Sequence, residues 1–228
     1  MPTIEDNEFG TISVRKVSRS NTMRATVAPN GTLRISVPSL APMFMVKRMI
    51  SSSRGDLRKL MNAHPTIQII DGLQVGKSHI MLVRQGDTNS ARRRGLRIHV
   101  TLRSDDARSD PALQKEVRTA VLAALRKEAK HHLPHRIQHL ATLHGFKYSS
   151  LRFTHASSRW GSCNSQQAIS LNIALMNLPF ELIDYVLVHE LAHTVQLNHS
   201  KEFWNEVAKA VPEYKQLRKQ LKSHNPAI

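Results

Sequence analysis

The sequence lacks the cysteine pairs that would form disulfides and the long apolar segments that would span a membrane. Cys163 is the single cysteine, so a disulfide within the chain is excluded. The first residues lack the basic and apolar stretches of a signal peptide, and no uninterrupted apolar run approaches the ~20 residues that span a bilayer. These absences predict a cytoplasmic protein with no membrane partner.

Aromatic and acidic residues are also scarce. Residues 1–108 contain only the aromatics Phe9 and Phe44, which excludes a stacking platform for single-stranded bases. The chain has 17 Asp and Glu against 33 Lys and Arg, and residues 1–150 account for +14 of its net charge of +16. Such a charge attracts polyanions, so DNA or another nucleic acid is a candidate partner, bound through electrostatics. A well-solvated basic surface is the alternative interpretation.

The hydrophobic patterns predict an α+β fold in two parts. Residues 1–108 form a basic, β-rich N-terminal part. It begins with a hairpin or meander over 11–37, with a turn predicted at 29–31, and continues with an interrupted amphipathic helix over 40–62 and further strands over 67–102. In that last group, the arginines 92–94 are predicted at the solvated tip of a hairpin, and the alternative is that their guanidinium groups bind phosphate. Residues 109–228 form the second domain.

Helix signals dominate the second domain. Asp110 is predicted as an N-cap with Pro111 in the first turn, and the helix is expected to end at Pro134, before a shorter helix that closes at Gly145. Strands are expected from 148 to 175. A further helix then begins near residue 179 and is apolar almost all round, so it is predicted to be buried.

This buried helix carries a motif with the spacing of a catalytic metal site. His189 and His193 are four residues apart, so both lie on one face of the helix and can chelate one ion, with Glu190 beside them. His199 follows after a short turn and can act as a third ligand, and Ser200 is predicted to cap the helix that comes next. Three protein ligands leave a fourth tetrahedral position for a water whose pKa the metal lowers toward ~7. The motif therefore predicts Zn²⁺ at His189, His193 and His199, with Glu190 as the catalytic base.

Neutral core histidines bonded to backbone carbonyls are the alternative explanation of the motif. Under that interpretation Glu190 would be a buried charge without a cation, which is energetically costly. The metal interpretation is therefore favoured. Among the remaining histidines, His131 and His135 also lie four apart, but Pro134 is expected to break the helix between them, which predicts surface histidines there.

Several short motifs resemble, in order and in spacing, the YgjP-like family of zinc metallopeptidases. They are Ser158–Cys163 (SRWGSC), Ile169–Asn172 (ISLN), Leu178–Pro179, Ile183–Val186 (IDYV), His189–His193 (HELAH) and Asn198–Trp204 (NHSKEFW). The resemblance is specific from about 150 to 205 and looser over the first hundred residues. It implies zinc at the three histidines, Glu190 as general base, a protein or peptide substrate, and a zincin-like domain whose active-site helix lies beside a small antiparallel sheet.

The gluzincin-like spacing, with its third histidine, is also similar to that of the Wss1- and SprT-type zincin proteases, whose implied role is to digest proteins stuck to DNA. Together with the basic N-terminal part, this similarity predicts a protease that acts on DNA-associated proteins.

Metzincins share the histidine spacing, but they have Gly where this chain has Gln196, and they have a downstream Met-turn. No methionine follows Met176, which excludes that group. Asn198, which tolerates left-handed backbone, is predicted to make the turn instead.

Two other functions stay open. A metal-dependent endoribonuclease similar to the YbeY family would use the same three-histidine spacing, although such proteins carry Gly where Glu190 stands. A non-catalytic, nucleic-acid-binding module would hold a structural zinc, with Cys163 as the fourth ligand that closes the site.

For the peptidase, a substrate is expected to pair with an edge strand near residues 168–174. The side chains that bind it are not identified. Four residues are candidate donors to the oxyanion, each with a structural role as the alternative: His155, Arg159, Asn172 and Tyr214. Trp160 and Trp204 are expected in the core or in a pocket wall.

Overall fold

A computed structural model describes residues 2–18, 20–28, 32–62 and 67–228, in two compact units that divide between residues 66 and 67. The helices are α1 (Met43–Ser52), α2 (Arg54–Asn62), α3 (Pro111–His144), α4 (Phe180–Ala192), α5 (Lys201–Ala210) and α6 (Tyr214–Leu221). The strands are β1 (Thr3–Asp6), β2 (Gly10–Val17), β3 (Arg24–Val27), β4 (Leu33–Pro38), β5 (Gln74–Val75), β6 (His79–Gln85), β7 (Ser90–Arg94), β8 (Arg97–Leu102), β9 (Ser150–Thr154), β10 (Gly161–Cys163) and β11 (Ala168–Asn172).

The first unit is a four-stranded sheet with two helices. The strand order is β1-β2-β4-β3, and alternate residues of the two central strands pack with α1 and α2 into one core. The predicted hairpin is present, because β3 and β4 pair antiparallel, but a meander is wrong, because β2 and β4 run parallel. The predicted turn at 29–31 lies outside the described residues. The helix over 40–62 is interrupted as predicted, at Ser53.

In the second unit, a four-stranded sheet of order β5-β6-β8-β7 shares a hydrophobic core with the long helix α3. The predicted hairpin tip at the arginines 92–94 is wrong, because these residues belong to β7, the edge strand that pairs antiparallel with β8. The domain boundary predicted at 108/109 differs from the division at 66/67, because the sheet of residues 74–102 packs on α3.

Helix α3 begins and ends as predicted but does not break at Pro134. The Asp110 carboxylate accepts a hydrogen bond from the Ala112 N–H, and Gly145 adopts a left-handed conformation at the other end. Pro134 lies inside the helix, where a proline costs about 3 kcal/mol relative to alanine. The buried side chains Leu133 and Ile137, on either side of it, join one core and hold both halves of the helix in line.

The helix α4 lies beside a three-stranded sheet of order β10-β11-β9. The strand β11 pairs antiparallel with β10 and parallel with β9, so the sheet is mixed rather than antiparallel as predicted. A 3-10 helix over Ile173–Asn177 leads from β11 to Pro179, which directly precedes α4. The fold of the described chain is thus α+β, as predicted.

None of the helices in the described ranges combines the length and the apolar character needed to cross a bilayer.

Candidate metal centre

Two histidines of the site lie at the end of α4. His189 is in its last turn, and His193 is the first residue beyond the helix and keeps right-handed helical backbone angles. The two imidazole rings therefore face the same side, with 4.8 Å between their centroids. The helix is buried on most of its surface, as predicted, so it presents both rings from a fixed position.

The third histidine returns to the same place after a tight turn. Backbone N–H groups of Thr194, Val195 and Gln196 donate to carbonyls in the last turn of α4, which ends the helix. Ser200 then caps α5 through a hydrogen bond from the Phe203 N–H to its hydroxyl, as predicted. His199, between the two helices, has its Nε2 atom 3.1 Å from the Nε2 atom of His189.

The structure brings His189, His193 and His199 together. Their ligand atoms all lie within 4.8 Å of one another, and within the described part of the chain no other group of three His, Cys, Asp or Glu side chains has this geometry. His131 and His135 are exposed on α3, as predicted, and are not part of such a group. The assignment of the three histidines as metal ligands stays a prediction. It requires that the three side chains lie close together, and they do.

A backbone carbonyl fixes the ring of His193. Its Nδ1 atom lies 3.0 Å from the carbonyl oxygen of Gln196, and an oxygen that only accepts requires that Nδ1 carry the hydrogen. The Nε2 atom is then left as the lone-pair donor, which is the arrangement that metal-ligating histidines use. The sequence reveals no sign of this contact.

The predicted left-handed turn at Asn198 is wrong. Among the non-glycine residues of the described chain, Gln167 has a positive φ angle and Asn198 does not.

Aromatic rings of α5 and α6 line one side of the cluster. The ring of Phe203 stacks on His193 with 4.4 Å between centroids, and that of Trp204 stacks on His199 with 5.7 Å between centroids. Tyr214 stacks in turn on Trp204, and the Arg218 guanidinium lies 4.6 Å from the centre of the Trp204 ring. Trp204 is therefore a wall of the site, as predicted, and Tyr214 is a packed ring that supports it.

Burial tunes the titration of the imidazoles. It is the main cause that lowers the pKa of His189 to about 3, and the charges of His193 and His199 add to the effect. Burial also lowers the pKa of His193. Both rings are thus neutral at physiological pH, which is the form that binds a metal.

Glu190 is 5% exposed and points away from bulk water. Burial raises the pKa of its carboxyl group to about 8, and the positive charge of Arg159 opposes that rise. Its Oε2 atom is buried and has no hydrogen-bond partner among the described residues. A carboxyl group with these properties is suited to take up and release a proton near neutral pH.

Cys163 lies outside the histidine cluster. Its thiol is half-buried and donates a weak hydrogen bond of 3.5 Å to the Asn164 carbonyl oxygen. Burial, and then the negative charge of Glu190, raise the pKa of this thiol. The geometry therefore gives no support to a fourth, closing ligand.

The strand predicted to hold substrate is not an edge strand. The predicted edge near residues 168–174 corresponds to β11, which is paired on both sides. The edge of the sheet next to α4 is β10, whose other side has no strand partner in the described chain. Sequence patterns missed this because β10 is only three residues long and shows no alternation.

Two of the candidate oxyanion donors have structural roles. The Asn172 side chain donates to the carbonyls of Ala156 and Arg159 at 2.7 and 2.9 Å and accepts from the Ala174 N–H at 3.0 Å. Tyr214 belongs to the aromatic wall. Arg159 is exposed and close enough to influence the pKa of Glu190, while His155 is partly buried in the same segment.

Comparison with known proteins gives two matches. The family described as "YgjP-like, metallopeptidase domain" matches residues 21–224. A solved structure, the metallopeptidase zymogen abylysin of Pyrococcus abyssi, is 27% identical over an alignment that covers 40% of this chain and 91% of that one, with a TM-score of 0.37. No curated protein matches the chain.

Proposed function

Because the chain belongs to the YgjP-like metallopeptidase family, we propose that it is a zinc-dependent metallopeptidase in which Glu190 acts on water beside a metal held by His189, His193 and His199. The observation that carries this proposal is the convergence of the three imidazoles next to a buried carboxylate on the adjacent residue of the same helix.

The donor set fits zinc. Nitrogen ligands at about 2.0–2.1 Å from a tetrahedral zinc ion lie roughly 3.3 Å from one another. The Nε2 atoms of His189 and His199 are 3.1 Å apart, and the bond from His193 Nδ1 to Gln196 leaves the third Nε2 atom free to bind. When bound, zinc supplies Lewis acidity toward a water molecule and toward the scissile carbonyl of a peptide.

The residues of this chain divide the remaining work. Glu190, in its ionised form, accepts the proton of the attacking water and passes it to the departing amine. The rings of Phe203 and Trp204 limit the access of bulk water from one side. Arg159, exposed and near Glu190, supplies a positive charge at the mouth of the site.

The open edge of β10 is the place where we expect the substrate to lie. A peptide that pairs there would extend the sheet by one strand and run past α4, which carries His189 and Glu190. Backbone hydrogen bonds would hold it, which favours substrates that present an extended, unpaired segment.

Nucleic acid is proposed as a means of bringing substrates close. The support is electrostatic: +14 of the net charge lies in residues 1–150, and Arg92 and Arg94 are exposed on the edge strand β7, where guanidinium groups can pair with phosphates. Proteins bound to DNA would then be the preferred substrates.

The test is hydrolysis of a denatured, fluorescently labelled protein by zinc-loaded enzyme, with and without single-stranded DNA. Glu190→Gln keeps the shape of the side chain but removes the base, so hydrolysis should fall by about 10²–10⁴-fold, while the zinc content, measured by elemental analysis, stays at the wild-type level. Glu206→Gln on α5 is the matched control and should keep full activity, because the Glu206 carboxylate pairs with the exposed Lys209 outside the histidine cluster.

Other outcomes favour the rival functions. Cleavage of RNA that Glu190→Gln abolishes, with no cleavage of protein, would replace the peptidase by an endoribonuclease. Binding of zinc and DNA without cleavage of either polymer would favour the non-catalytic module. Hydrolysis that DNA does not stimulate would remove the nucleic-acid part of the proposal and leave the peptidase.

A further inference from the structure

We propose that Gly161, on the edge strand β10, is a positioning residue for Glu190: it has no side chain because the carboxylate of Glu190 occupies the space that a side chain would fill. This inference rests on the proposed function, in which Glu190 is the base. It concerns a residue that lies far from Glu190 in sequence and that no metal-binding motif contains.

The distances define the fit. A Cβ atom built on Gly161 would lie 2.5 Å from Oε1 of Glu190, and 2.7 Å from both its Cδ and its Cγ atoms. Ordinary contacts of a Cβ atom are 3.4–4 Å. The overlap includes Cγ, near the base of the side chain, so a rotation of the carboxylate group alone would not relieve it.

The backbone of Gly161 does not explain the glycine. Its φ angle is not among the positive values found at other glycines, and Gly161 pairs with Leu171 in a regular antiparallel register. An alanine would therefore be acceptable to the strand itself. The space taken by Glu190 is what excludes it.

The backbones of β10 and α4 are both held in place, so they cannot easily move apart to make room for a methyl group. The strand β10 is bonded to the central strand β11, and the Asn172 N–H donates to the Trp160 carbonyl at 2.8 Å, directly before Gly161. On the other side, Leu187 and Leu191 of α4 are completely buried. A methyl group at position 161 should therefore displace the Glu190 side chain by somewhat less than 1 Å.

The main experiment compares Gly161→Ala with wild type as full-length, zinc-loaded proteins. A misplacement of about 1 Å in a reacting group can cost about 10²-fold in rate. We expect kcat for peptide hydrolysis to fall by about that factor while zinc content and KM stay near their wild-type values. Gly55→Ala is the matched control, because a Cβ atom there meets nothing within 4 Å, and its kinetics should equal those of wild type.

Cys163 provides a readout that does not depend on activity. It lies two residues from Gly161 on the same face of β10, and the charge of Glu190 contributes to the raised pKa of its thiol. Cys163 is the single thiol of the chain, so the pH dependence of its alkylation by iodoacetamide can be followed by mass spectrometry of the peptide that contains it. In Gly161→Ala the carboxylate moves away from β10, so the midpoint of alkylation should shift to lower pH, as it should in Glu190→Gln.

The proposal requires both changes. A Gly161→Ala protein with wild-type kcat, or with a wild-type alkylation profile, would overturn it. If Gly161→Ala does not fold, Glu190→Ala is added to it: the truncated side chain lacks Cγ, Cδ and both oxygens and so vacates the space. The double variant should therefore fold and bind zinc, and failure to do so would also count against the proposal. If the wild-type protein hydrolyses no peptide, the proposed function fails, while the alkylation profiles still decide whether Gly161 positions the carboxylate.

Discussion

Single residues decide whether the site is open or closed. The half-buried thiol of Cys163 faces Glu190 but lies outside the cluster of His189, His193 and His199. With the three histidines as the proposed ligands, one tetrahedral position would stay available for water or substrate, which is the arrangement of catalytic rather than structural zinc sites.

We therefore expect Cys163→Ser to bind zinc with the same stoichiometry and with nearly wild-type affinity. The measurement is competition with a chromogenic chelator. Loss of even an outer-shell partner weakens zinc binding by about 10–100-fold, and loss of a ligand would cost more. A decrease larger than this range would therefore show that Cys163 is a fourth ligand, and the structural-zinc interpretation would return.

At the scale of secondary-structure elements, the buried carboxylate of Glu128 connects the long helix α3 to the start of β6 and to the loop before it. Glu128 of α3 accepts hydrogen bonds from the backbone N–H groups of Lys77, Ser78 and His79 at 2.5, 2.8 and 3.1 Å, and its Oε1 atom lies 2.6 Å from Nδ1 of His79. Both side chains are almost completely buried. Gly76 completes the contact, because a Cβ atom there would lie 2.3 Å from Oε2 of Glu128.

Replacement of Glu128 by Ala should destabilise the second unit by about 3–5 kcal/mol, because several buried donors lose their acceptor at once. The free energy of unfolding can be measured in urea by tryptophan fluorescence, since Trp160 and Trp204 both belong to residues 67–228. Glu206→Ala, which removes only an exposed pair with Lys209, should change it by less than about 1 kcal/mol. Equal effects of the two substitutions would show that the Glu128 contacts contribute little.

The elements also show how far the sequence predicts this fold. Features encoded within a few residues are predicted well: the caps of α3 at Asp110 and Gly145, the apolar helix α4, and the Ser200 cap of α5. Features that depend on distant partners are not. The core holds α3 together across Pro134, and the central position of β11 depends on β9 and β10, which the sequence does not reveal.

The candidate site follows the same rule. The histidine spacing predicts which residues meet, because the three lie close together in the sequence and the first two share a helix face. The support of His193 by the Gln196 carbonyl and the fit of Gly161 against Glu190 are contacts of backbone or of an absent side chain. No residue type signals such contacts, so they appear only in three dimensions.

At the scale of the whole molecule, zinc should stabilise one of the two compact units. The three histidines belong to the unit of residues 67–228. Mass action predicts a gain of about 2.7 kcal/mol when free zinc is at 100 times its dissociation constant. Tryptophan fluorescence reports this unit alone, so its urea midpoint should rise with zinc and return with a chelator. His199→Ala should abolish the shift, and a midpoint that ignores zinc in the wild-type protein would contradict the metal site.

The three proposed ligands lie close together in the sequence, which bears on when the protein could acquire its metal. His189, His193 and His199 lie within one helix end and the turn after it, and Gln196, Phe203 and Trp204 hold their rings through contacts of the protein itself. A metal that bridges such neighbours closes only a small loop and joins no distant parts of the chain. Under the proposed function, folding could then be completed before the metal is acquired, so we expect newly made molecules to stay inactive until zinc reaches them.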